Sequence, residues 1–269
     1  MTFRAARPGI PPGLFVPAAL GGGLLVLPLL ALLSRIDWAA IPAVLVAPET
    51  ASALGISLLT ALTATGICLV LGVPLAVVIS RTSGWVATAL RAVVTLPLVL
   101  PPLVGGLALL SLLGRGGVFG EALAHAGIQI PFTTVAVVIA QTFVALPFLV
   151  ISVEGSLRGL SPEYEEAAAT LGASPASVLF RITLPLVTPG LIAGTILCFT
   201  RALGEFGATA LFAGNAAGTT RTVPMAIYTA FNGAGVTQDT ALALSLILIV
   251  VAVTTLAVLR GRTSDRAAH

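Results

Sequence analysis

Six long apolar runs decide what this chain can fold into. They cover roughly residues 14–34, 51–80, 86–113, 133–153, 186–213 and 241–259. A run of about 18 or more apolar residues is long enough to cross a bilayer as a helix. Only 9% of the residues are charged, against about 25% in a soluble globular domain. Mean hydropathy is +1.10. The expected fold class is therefore all-α integral membrane, with about six transmembrane helices. The first run follows Arg4 and Arg7, as a secretory leader would. Its apolar core is too long for one, and no clear small-x-small cleavage site precedes Arg35 and Asp37. It is read as a peripheral first helix over 14–34; a cleaved leader would leave five spans.

All 13 basic residues are Arg, and they are scattered rather than gathered on one stripe, so no nucleic-acid partner is expected. In a membrane chain their distribution sets topology. With the N-terminus in the cytoplasm, Arg4, Arg7, Arg81, Arg91, Arg158, Arg181, Arg260, Arg262 and Arg266 fall on that side. Arg35, Arg115 and Arg221 fall outside, and Arg201 lies within a span. Nine against three places both termini in the cytoplasm. Cys68 and Cys198 sit inside apolar runs with no motif around them. They are read as small buried side chains rather than a disulfide or metal site.

The third run carries Pro97, Pro101 and Pro102, followed by Gly105 and Gly106. Proline removes a donor and clashes with the preceding turn, so this helix must kink or break. Freed carbonyls survive at membrane depth only against protein or a water-filled cavity. Either a solute pathway or a packing kink inside the bundle meets that demand.

The longest cytoplasmic loop, 154–185, reads as two short helices. Ser161 is placed as an N-cap with Pro162 at the first helical position, and Glu163, Glu165 and Glu166 suit the positive end of the helix dipole. Gly172 is a C-terminal stop. Ser174 and Pro175 then start a second helix running to Pro185. A rigid hairpin with an Ala-rich flank can enter a groove on a partner; a solvated connector is the alternative. The spacing adds to this. Glu166, Ala167, Ala168, Gly172, Ile182, Leu184 and Pro185 match, position by position, the signature loop of importer permeases of the ATP-binding-cassette type. The resemblance implies a coupling helix that docks on cytoplasmic ATPase subunits, with Glu166 contacting the ATPase and Gly172 permitting a sharp turn. The chain has no Walker A pattern, so ATP hydrolysis is expected on a separate subunit.

In the fifth run, Arg201 falls about 22 Å along a helix counted from Leu186. A lone Arg near mid-bilayer costs about 2.5–3.5 kcal/mol on insertion scales. Glu205 lies one turn on, on the same face, and can pair with it. Arg201 then either offers charge to a passing anion, with Gly204 and Gly207 letting backbone approach, or is neutralised by Glu205 in a packing lock. The stretch from Arg201 through Gly204, Glu205, Phe206 and Gly207 to Thr209 resembles the fifth-span motif of molybdate permeases. So do 96–102, 114–121 and 220–229, in the family's order over about 51–260. Sulfate and tungstate permeases share the Gly-Glu-aromatic-Gly core. The resemblance implies a homodimer of permease copies in membrane lipid, an extracytoplasmic oxyanion-binding protein, and alternating access driven by ATP. Pro97, Pro101, Pro102, Arg201, Gly204, Glu205, Phe206 and Gly207 are the candidate pathway residues.

An ion-coupled secondary transporter with Glu205 as coupling acid is the rival class. An intramembrane enzyme is not indicated: no His-Glu-x-x-His or Gly-x-Ser-x-Gly occurs. His125, placed in an outer loop, and His269 lack neighbours suited to metal or acid–base work. No cofactor or metal is expected in this chain.

Overall fold

The computed structural model describes residues 11–233 and 238–266. A 3-10 turn, Pro12–Leu14, leads into α1 (Phe15–Ser34), followed by α2 (Ile41–Val46) and the long α3 (Pro48–Arg81). Next come α4 (Gly84–Val99), α5 (Pro102–Leu113), α6 (Gly120–His125) and α7 (Thr134–Arg158). A hairpin is built from α8 (Glu163–Thr170), α9 (Pro175–Val178), a π turn (Leu179–Thr183) and α10 (Leu184–Leu186). The chain ends with α11 (Thr188–Leu203), α12 (Gly207–Phe212), α13 (Val223–Phe231) and α14 (Gln238–Arg266). No strand occurs among the described residues.

Three stretches, Pro12–Ser34, Pro48–Arg81 and Thr134–Arg158, are single helices long and apolar enough to cross a membrane. Two more are helix pairs, α4 with α5 bent by 114°, and Pro175–Leu186 with α11 bent by 72°. The sixth expected span falls on α14, which runs from Gln238 to Arg266. The expected break in the third span lies at Leu100–Pro101, while Pro97 stays inside α4. The fifth span corrects the sequence reading. It is not one helix over 186–213: Leu186 belongs to the hairpin, and α11 stops at Leu203, three residues before α12. Three short helices, α2, α6 and α13, were not anticipated, and His125 is the last residue of α6, within the connection between α5 and α7.

The bundle is organised around α7, which packs along α3 and α11, while α11 also meets α3. Their shared core holds Ala61, Ala64, Cys68 and Ala76 from α3, Ala145, Leu149 and Val153 from α7, and Cys198 and Ala202 from α11. In lipid, apolar surface gains little by leaving the solvent, so helices associate through close packing and hydrogen bonds, which favours small side chains. The two cysteines are free and buried, as the sequence suggested. A second cluster joins α5, α7 and α12 through Leu109, Ala140, Val144, Ala208 and Phe212. None of the residues of α1 is buried.

The hairpin marks one end of the bundle, the hairpin end. At the far end, α13 packs against α3 and α14, and the Val223 N–H donates to Ser57 Oγ at 2.7 Å. There Phe132 holds the left-handed conformation with φ 63° and donates its N–H to the Phe212 carbonyl at 3.2 Å. Such a φ is an outlier for a bulky residue, and this bond fixes it where the start of α7 meets the end of α12.

Candidate functional site

The hairpin is held rigid by its own cap chemistry. Pro162 is the N-cap of α8, and its carbonyl accepts from the N–H groups of Glu165 and Glu166 at 3.1 and 3.0 Å. Ser161, expected as the cap, lies one residue further out; α8 has no side-chain cap bond. Gly172 has φ +84°, a conformation that costs a residue with a Cβ about 1–2 kcal/mol. It closes α8 in a Schellman turn: Ala173 N–H reaches the Ala168 carbonyl at 3.1 Å and Gly172 N–H that of Ala169 at 2.9 Å. Ser174 then caps α9, its Oγ accepting from Ser177 N–H at 3.3 Å. The helix opens into the π turn at Leu179, and the turn ends two residues before Pro185, which has no N–H for the Arg181 carbonyl. Single π turns inside α-helices concentrate at functional positions.

Of the signature residues, Glu166 and Ala167 face outward, as do Gly172 and Pro185. Ala168 is buried under the hairpin, and Ile182 and Leu184 are half-buried. The outward face also carries Tyr164, Leu171 and Phe180, with Leu171 88% exposed. Exposed aromatic and aliphatic groups beside acids, outside the bundle, form a surface suited to a protein partner.

Behind that face lie charged groups the sequence reading passed over. Arg81 Nη2 donates to Glu165 Oε1 at 3.0 Å, and the Thr183 hydroxyl donates to the same oxygen. Glu154, buried in α7, takes Arg91 Nε at 2.6 Å and Arg158 Nε at 3.0 Å. Arg91 also donates from Nη2 to the Ile79 carbonyl at 3.4 Å. The Glu154–Arg158 spacing was readable as an i,i+4 pair. Nothing local announces the links to Arg81 and Arg91.

The two broken spans meet within the bundle. The N-terminus of α5 crosses α12 so closely that a Cβ on Gly207 would lie 2.6 Å from Pro102 Cβ. A Cβ on Gly106 would lie 2.7 Å from the Ala208 carbonyl oxygen. Two sequence motifs, one ending at Pro102 and one centred on Gly204 to Gly207, thus converge on one crossing. In the gap between α11 and α12, Glu205 does two jobs. Its Oε2 is 2.6 Å from Arg201 Nη1, and its Oε1 accepts from Ala208 N–H at 2.8 Å, satisfying a donor in the first turn of α12. Glu205 is 1% exposed, while the Arg201 side chain keeps 26% of its surface open. Phe206 packs against Tyr228 of α13 with ring centroids 5.0 Å apart and the rings tilted by 44°. Gly204 is exposed, Pro101 and Pro102 are exposed, and Pro97 is half-buried one turn before the bend. The arrangement is a local charge pair, close to neutral, beside backbone that is not helical. No group of three or more His, Cys, Asp or Glu able to hold a metal occurs among the described residues.

The sequence profile of binding-protein-dependent transport system inner membrane components matches residues 68–267. The chain belongs to that family. The match takes in both broken spans and the hairpin, and begins midway along α3. Among relatives of this transport-system component, the molybdenum transport system permease protein ModB of Mycobacterium tuberculosis is 49% identical over 244 residues, 90% of this chain and 91% of that one. The sulfate transport system permease protein CysT of Escherichia coli is 39% identical over 208 residues, 76% of this chain and 75% of that one. A solved bacterial ABC transporter for import of the acidic polysaccharide alginate has a chain that superposes with TM-score 0.69, covering 94% of each chain at 18% identity. The MetNI methionine ABC transporter, in an inward-facing form, gives TM-score 0.61 over 79% of this chain and 94% of that one at 18% identity. These two likenesses show that the chain shares its fold with a chain of each of these transporters.

Proposed function

We propose that this chain is the permease subunit of an ATP-driven importer that moves molybdate into the cytoplasm by alternating access. The observation that carries the reading is the 49% identity over 90% of the chain to ModB, against 39% over 76% to the sulfate permease. The excess of Arg expected on the hairpin side supports an orientation with that end, and both termini, in the cytoplasm of a bacterial inner membrane. ATPase subunits dock on the outward face of the hairpin, through Glu166, Ala167, Tyr164, Leu171 and Phe180. An extracytoplasmic binding protein delivers the oxyanion at the far end, and two copies of the chain in lipid enclose the pathway. The chain itself needs no cofactor. The crossing of α5 on α12, with Pro97, Pro101, Pro102, Arg201, Gly204, Glu205, Phe206 and Gly207 around it, supplies the pathway-facing groups. A near-neutral charge pair attracts a dianion without trapping it, which suits transit rather than storage. The ion-coupled alternative needs a carboxylate free to take up and release a proton. Glu205 has both oxygens committed and 1% exposure, which weighs against it.

The decisive test is uptake of radiolabelled molybdate by cells with and without the chain, with excess sulfate or tungstate as competitor. Loss of uptake on deletion, with no competition by sulfate, is the expected result. Unchanged uptake, or equal competition by sulfate, would sink the molybdate assignment. A second expected result concerns docking. Glu166→Lys reverses a charge on the exposed face without touching a packed contact, so recovery of the ATPase on co-purification should drop about tenfold, in line with about 1.4 kcal/mol of lost affinity. Recovery at the wild-type level would show that Glu166 lies outside the docking surface.

A further inference from the structure

Of the three acids at the start of α8, Glu163 and Glu166 face solvent while Glu165 turns inward. Its Oε1 joins three elements: α8 itself, Thr183 in the π turn, and Arg81, the last residue of α3. Thr183 is 1% exposed, so this oxygen reaches the inside of the hairpin. We infer that Glu165 is a positioning residue that makes the hairpin and α3 move as one body, so that a push received by the hairpin is delivered to the membrane bundle. This rests on the reading of the hairpin as an ATPase-docking element.

The mechanical need is visible in the packing. The hairpin joins the bundle covalently through the short connection after Arg158 and through the 72° bend at Val187. The principal contacts of α8 are with α9 and the π turn, within the hairpin itself. A force on α8 would be spent flexing those two connections unless a further tie carried it across. The Arg81–Glu165 pair is that tie, and the Thr183 hydroxyl fixes the carboxylate so that it pulls on the π turn as well. From Arg81 the line continues. The Ile79 carbonyl in the last turn of α3 accepts from Arg91 of α4, and Arg91 is held by Glu154 of α7. The other arm of the α4–α5 bend is the one that crosses α12. An ion pair this exposed contributes little to folding. Its loss therefore separates coupling from stability. Coupling between two sites is demonstrated only by measuring how changes at each combine.

The test uses the whole importer, with its ATPase and binding protein, reconstituted in liposomes. Glu165→Gln and Thr183→Val are expected to keep wild-type co-purification of the ATPase and its basal hydrolysis. Binding-protein-stimulated hydrolysis and molybdate uptake should fall at least fivefold, with more ATP spent per molybdate moved. Arg81→Glu alone should behave like Glu165→Gln. The doubly swapped Arg81→Glu, Glu165→Arg chain should recover to within about twofold of wild type, which a purely local structural role would not produce. Wild-type uptake in both Glu165→Gln and Arg81→Glu overturns the inference. So does loss of the ATPase from Glu165→Gln, which would make Glu165 a docking residue. A wild-type complex that takes up no molybdate on ATP would fail at the earlier step, the assignment of the chain as this permease, and the inference would fall with it.

Discussion

Glu205→Ala should cost about 3–5 kcal/mol of stability and reduce uptake to background, because it strands a guanidinium inside the membrane without its carboxylate. It also strips the acceptor from Ala208 N–H, which opens α12. Glu205→Gln keeps an acceptor for that N–H and should lose less. Thermal unfolding of the purified chain in detergent measures the first effect, and uptake in cells the second. The informative companion is the double change Arg201→Met, Glu205→Leu. Replacing both members of a buried pair by apolar groups of similar volume is often near neutral for stability, so the remaining loss should be that of the Ala208 N–H acceptor, about 1–3 kcal/mol. Recovered stability with recovered uptake would show that the pair is a packing lock. Recovered stability with uptake still absent would assign Arg201 to the passing anion. A Glu205→Ala chain that melts like wild type would remove the lock altogether.

Gly106→Val should be nearly as damaging. The new Cβ would sit 2.7 Å from the Ala208 carbonyl oxygen and 3.0 Å from its Cα. Both are backbone, so no flexible side chain can give way, and α5 must lift off α12. Overpacking of this kind costs about 1–3 kcal/mol, and a backbone clash belongs at the upper end. Uptake should fall to background because the crossing is where the two broken spans meet. Gly66→Ala is the control, since nothing lies within 4 Å of a Cβ there, and it should leave uptake unchanged. Protease sensitivity of membrane-inserted chain would follow the same order. Wild-type uptake by Gly106→Val would mean that the close crossing is dispensable.

What could be read in advance was local. The hairpin was legible because caps, Gly172 and the Ser174–Pro175 start act within a few residues of themselves. Ser161 was misplaced by one residue because Pro162, at φ −62° and ψ −20°, takes the cap position and offers its own carbonyl to the following N–H groups. The break after Leu203 was hidden by a degeneracy. Arg201 and Glu205 are four apart, and they pair whether or not the helix continues beyond Gly204. No proline marks the stop; a carboxylate that reaches forward to Ala208 N–H does. The break in the third span, by contrast, was announced by Pro101 and Pro102. The links of Glu154 to Arg91 and Glu165 to Arg81 join residues 63 and 84 positions apart. Such pairs follow from how helices are laid side by side, and a single sequence carries no local trace of that.

The length of α3 has a consequence for how movement crosses the membrane. Its 34 residues span about 51 Å at 1.5 Å per residue, against a hydrocarbon thickness of about 30 Å. It is long enough to act as a lever with arms extending past the lipid on both sides. One arm ends at Arg81, tied to the hairpin; the other packs against α2 and α13, with Ser57 bonded to Val223. A tilt of about 10° around its middle carries each tip through about 4 Å, by the same rise per residue. That exceeds the reach of any hydrogen bond. A rotation too small to disturb the small-residue packing at the fulcrum is therefore enough to make or break contacts on the opposite face of the bilayer.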